Sequence, residues 1–191
     1  MQATRWCAVA LLAASAAGAA SAQGGDAPRI VKEQRFASWG YSCAVAGNGK
    51  GAEVERCMIS QLVATNPRER KVVLGLTVDF EDSRTVPTLR ARFSADAKRE
   101  AGIGIKIDEK PEMRLAISDC NNQRCESLGR LSAPVLKAWS SGKIGKFAFL
   151  RQSGKQVLLP ISLDGFDQAL AALRQHPGGA VVPPAKAPAR T

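Results

Sequence analysis

Chemistry in this 191-residue chain has few residues to rest on: five cysteines, one histidine, and 27 lysines and arginines set against 17 acidic side chains. Cys7 stands apart near the start, which leaves Cys43, Cys57, Cys120 and Cys125. An even set of this kind, in a chain bound for an oxidising compartment, predicts two disulfides. Three pairings exist on paper. The local ones are favoured, Cys43 with Cys57 across Ala46-Gly-Asn-Gly-Lys-Gly51 and Cys120 with Cys125 across Asn-Asn-Gln-Arg, because each span reads as a hairpin turn. A zinc site built from the four requires two close pairs, and only Cys120 and Cys125 are close enough. A thioredoxin-type redox pair requires Cys-x-x-Cys at a helix start, which neither spacing offers. The cysteines therefore read as structural, with no metal and no cofactor expected.

Nucleophilic and acid–base chemistry finds little footing. His176 lies beside Pro177 in a proline-rich end segment, so a Ser-His-Asp or Cys-His arrangement lacks a base. Ser140-Ser-Gly-Lys143 matches Ser-x-x-Lys, but the Ser-Asp-Asn and Lys-Thr-Gly motifs that accompany it in serine acyl-enzymes are missing. Gly47-Asn-Gly-Lys-Gly51 lacks the phosphate-loop spacing, and no helix pattern follows it. Asp79, Glu81 and Asp82 lack the ordered ligands of a calcium loop and read as a solvated turn. The chain is thus expected not to be an enzyme.

Basic charge is the feature that stands above background. Arg68, Arg70 and Lys71 are close in sequence, Arg90 and Arg92 share one strand face, and Lys143 and Lys146 add to them. These seven form a candidate anion-binding surface, because such fields attract polyanions. Nucleic acid is not the expected partner, since few aromatic residues are available to stack bases.

The elements that must position these groups are mainly strands. Trp39, Tyr41, Cys43 and Val45 alternate with small or polar residues, as do Leu74, Leu76, Val78 and Phe80, then Leu89, Ala91 and Phe93, then Ile103, Ile105 and Ile107. Phe147 and Phe149 mark a further strand, and Val157, Leu159 and Ile161 another. Strands at this spacing argue for a sandwich or barrel. A short helix is predicted over 134–141. A second is predicted over 164–175, with Phe166, Leu170 and Leu173 on one face and Asp164 as its cap.

At the start, Arg5 precedes an apolar run and Ala20-Ser-Ala22 forms a small-x-small cleavage site, so residues 1–22 read as a signal peptide. No transmembrane segment is expected after its removal. Cleavage would take one arginine and leave a net charge near +9. The expected organisation is a lead-in at 23–34, one β domain at 35–175, and a disordered, basic, Pro/Ala-rich tail at 176–191.

An ordered set of motifs runs through that domain: Phe36-Ala-Ser-Trp39-Gly-Tyr-Ser-Cys43, then Cys57, then Cys120 and Cys125, then Ser162-Leu-Asp-Gly-Phe166-Asp-Gln-Ala-Leu170. In this order they resemble the invasion-associated locus B family of exported Gram-negative proteins, over about 35–173. Where the family often has a proline–glycine turn before its central strands, this chain has Asp96-Ala-Lys-Arg-Glu-Ala-Gly102. The resemblance implies a mainly β, immunoglobulin-like β-sandwich in the periplasm or cell envelope, surface-exposed or secreted in some settings. It implies a binding role linked, in pathogenic members, to host-cell invasion, and it brings no catalytic residues. The alternative expectation is a periplasmic accessory protein that binds anionic envelope components or a protein partner with no host role.

Overall fold

The computed structural model describes residues 27–47, 52–65, 71–80, 85–110 and 112–182. Two antiparallel sheets face one another. The larger holds β1 (Arg29–Phe36), β2 (Trp39–Gly47), β3 (Glu53–Ala64), β4 (Val72–Asp79), β5 (Thr88–Ser94), β9 (Arg124–Arg130) and β8 (Asp119–Cys120), hydrogen-bonded in that order, with β12 (Gly178–Val182) added along β3. The smaller runs β11 (Gln156–Ser162), β10 (Ile144–Leu150), β6 (Ile103–Ile107) and β7 (Met113–Leu115). The mainly β expectation holds. Five consecutive strands stay in one sheet as a meander, whereas an immunoglobulin strand order passes early to the second sheet. The likeness to that fold therefore lies in sandwich architecture.

Alternation builds the core. In β2 and β4 every second residue is buried, so one face of each strand turns inward. Phe93 of β5 meets Phe147 and Phe149 of β10 at 5.2 Å between ring centroids, which joins the sheets. The second core centre joins Trp39 to two helices, α1 (Ala133–Ser141) and α2 (Phe166–Gln175), through Trp139 and Phe166, with ring centroids 5.0–6.2 Å apart. The Trp39 indole N–H donates to the Ser162 carbonyl at 3.0 Å, and buried Gln61 donates to the same oxygen at 2.7 Å. Between Asp96 and Gly102 the chain makes a 3-10 turn at Arg99–Ala101 and leaves through Gly102 at φ 65°, where a Cβ would press on the Leu115 carbonyl.

Three expectations need correction. The lead-in at 23–34 is a strand from Arg29 onward, paired with β2. Its side chains are nearly all exposed, so it carries no apolar alternation to read. The disordered tail at 176–191 is ordered through Val182, because β12 pairs with residues 53–56 of β3. That contact is made by backbone, starting from Gly178 and Gly179 at positive φ, in a segment whose composition hides it. Asp164 does not cap α2; Gly165 holds the N-cap position at φ 84°, with no side-chain cap bond. The hairpin expected across Cys120 and Cys125 is formed by β8 and β9, and β9 continues to Arg130 alongside β5. The signal peptide at 1–22, the remainder of the tail, the turn at 81–83 and the tip of the glycine-rich loop lie outside the described residues.

Candidate anion-binding surface

Both disulfides join the expected partners. Cys43 and Cys57 stand directly opposite in the β2–β3 register, and Cys120 and Cys125 do so in β8–β9, each pair with Cα atoms 4.0 Å apart. Glu55 brings a carboxylate close to the first pair of sulfurs. Those sulfurs are bonded to each other and offer no thiolate to a metal.

The candidate cations divide between faces. Arg90 and Arg92 do share the outer face of the large sheet, as their spacing requires, but both converge on Glu126 of the neighbouring β9. Arg90 reaches one oxygen at 2.9 Å and Arg92 the other at 2.7 Å. Partial burial pushes the Glu126 carboxyl up. The Arg92 hydrogen bond and the charges of both arginines outweigh it and hold the group below the ordinary carboxylate range. This trio is a structural clamp with one net positive charge.

Lys146 belongs to β10 of the other sheet, and Lys143 to the turn just before that strand. Phe93 and Phe147 meet between the sheets, so the residues next to them in sequence, Arg92 and Lys146, project from opposite outer faces. Asp108 fixes the local register. Sitting at φ 44°, it accepts from the backbone N–H of Lys143 at 3.2 Å and of Ile144 at 3.3 Å. The resulting alignment sets Lys146 directly opposite Lys106 of β6. Both are exposed, and Lys106 also reaches Glu109 at 3.3 Å. Like charges directly opposite on neighbouring strands are unfavourable. Lys106 was missed from sequence, although it is the outward residue of Ile-Gly-Ile-Lys-Ile; Asp108 gave no signal at all.

Lys71 stands exposed at the start of β4, on a cleft at one end of the sandwich. Arg68 and Arg70 lie outside the described residues. Ser140 and Lys143 fall at the end of α1 and in the turn after it, and the Ser141 hydroxyl donates to the Lys137 carbonyl at 2.8 Å. His176 is exposed, and its carbonyl accepts from the buried Tyr41 hydroxyl at 3.2 Å.

These features define a disulfide-clamped, two-sheet antiparallel sandwich whose outward chemistry is electrostatic. The chain belongs to the invasion-associated locus B family, whose model, described as Invasion associated locus B protein, matches residues 39–174. The crystal structure of invasion associated protein b from Bartonella henselae is similar to it with a TM-score of 0.62 at 19% identity, covering 74% of this chain and 95% of that one. At that identity the likeness speaks for the fold. No curated protein matches the chain. The two disulfides fit an oxidising compartment, and no helix among the described residues is long and apolar enough to cross a membrane.

Proposed function

We propose that the protein is exported and acts as a non-enzymatic binding domain of the cell envelope, taking an anionic component of the envelope or of a host surface. The observation that carries this reading is the facing pair Lys106 and Lys146 on the outer face of the small sheet. A bound anion turns that repulsive pair into a shared contact. Lys143 adds exposed charge just before the same strand.

Host-cell contact is the further part of the proposal, and its support is the name of the family. Its test is location followed by loss. Cells are fractionated, intact cells are treated with protease, and the mature protein is probed. A deletion strain is then compared with its parent for adhesion to cultured host cells. Surface accessibility and reduced adhesion are the expected results. Full protection in the periplasm with unchanged adhesion would remove the host role and leave a periplasmic accessory protein.

A further inference from the structure

One end of the sandwich carries a second feature, separate from the Lys106–Lys146 face. A cleft of about 820 Å³ opens between the large sheet and strands β10 and β11 of the small one, and none of Lys106, Lys143 or Lys146 lines it. That volume falls within the roughly 300–1,000 Å³ common to small-molecule sites.

Strand register explains why charge collects at its mouth. Leu74 of β4 pairs with Phe93 of β5, and Ser94 pairs with Arg124 of β9, so the start of β4, the end of β5 and the start of β9 finish together. The bridge from Ala97 to Arg151 brings the end of β10 to the same place. Lys71, Arg92, Arg124 and Arg151 all line the cleft as a result. Arg92 is engaged by Glu126, and Arg151 by Asp96 at 3.4 Å. Lys71 and Arg124 are exposed and enter no ion pair among the described residues.

The lining between these cations is apolar. Val157 and Leu159 of β11 are half-buried there, although both belong to the inward face of their strand. Val72, on the inward side of β4, borders the same cleft and is 50% exposed, so it extends the apolar lining to the mouth. An apolar trough with Lys71 and Arg124 exposed at its lip matches one kind of ligand.

We propose that this cleft binds a single-chain anionic amphiphile, an acyl chain lying along Val72, Val157 and Leu159 with a phosphate head held at Lys71 and Arg124. Charge complementarity selects the head, and the exposed aliphatic lining selects the chain. This goes beyond the anionic-surface reading and does not depend on the Lys106–Lys146 pair.

The test is calorimetric titration of the protein, with both disulfides formed, with monomeric dodecyl phosphate. Dodecyl maltoside and inorganic phosphate serve as probes of chain alone and head alone. Dodecyl phosphate should bind roughly tenfold or more tightly than either. The pair Lys71→Glu with Arg124→Glu should weaken it by roughly tenfold, and Val72→Asp by a similar factor. Lys106→Glu with Lys146→Glu should leave it unchanged. All these substitutions replace exposed side chains, and circular dichroism checks that the variants stay folded. No binding of dodecyl phosphate, binding no tighter than inorganic phosphate, or equal binding by wild type and both cleft variants would overturn the proposal. Loss of envelope binding in the Lys106/Lys146 variant would still support the anionic-surface reading in that event.

Discussion

Gly165 shows how a single residue holds this fold's corner. It lies at φ 84°, and a Cβ there would collide with the Phe36 carbonyl. Close by, the Ser38 amide donates to the Asp164 carbonyl at 3.2 Å, tying the β1–β2 turn to the start of α2. Gly165→Ala should therefore destabilise the protein by at least about 1–3 kcal/mol from backbone strain, before the collision is counted. Urea unfolding measures it, and a loss within a few tenths of a kcal/mol contradicts the geometry. Glu126 provides a prediction of a different kind. Its folded-state pKa is depressed, so the arginine clamp contributes stability that is complete above the unfolded-state pKa and is lost as pH falls through the folded-state value. Glu126→Gln should be less stable near neutral pH and should lose less on acidification. Equal acid sensitivity in wild type and variant, followed by thermal melts, would show that the clamp carries no such linkage.

At the scale of the element, each disulfide clamps a hairpin that the strand register already forms. The Cys43–Cys57 bond closes the longer loop and should contribute about 3 kcal/mol, and Cys120–Cys125 about 2. Replacing each pair by serine and measuring denaturant midpoints should reproduce that order. The strand β12 yields a further expectation. Ending the chain at Gln175 removes it, along with the His176 carbonyl that holds Tyr41, so amide exchange at 53–56 should quicken while β5 and β9 stay protected. Unchanged exchange at 53–56 would mean that β12 adds nothing. These elements also mark what could be read in advance. Strands such as β4 and β6, with one face in the core, announce themselves by alternation. The edge strand β1 is held by backbone pairing and buries no apolar stripe, so nothing in its side chains declares it, and the late strand β12 pairs along β3 from a segment whose Gly- and Pro-rich composition hides it. The cysteine pairing was legible because its loops were short. The candidate site was legible only in part: the identities of the basic residues are plain in the sequence, while their partners are matters of register. Arg90 and Arg92 look free until β9 brings Glu126 between them, and Lys146 looks isolated until Asp108 aligns it with Lys106.

The whole molecule is a sandwich with different chemistry on its parts: a glutamate-bridged arginine clamp on one face, a facing lysine pair on the other, and an apolar cleft with a basic lip at one end. Net charge alone would predict diffuse attraction to any polyanion. The architecture predicts attraction that depends on one face. The decisive measurement is co-sedimentation of the purified protein with anionic envelope vesicles at about 50 mM and about 500 mM salt, where screening lengths differ severalfold, for wild type and for Lys106→Glu with Lys146→Glu. The account predicts strong binding at low salt, loss at high salt, and little binding by the variant at either. Wild-type binding that is absent at low salt, or that the double substitution leaves unchanged, would contradict it.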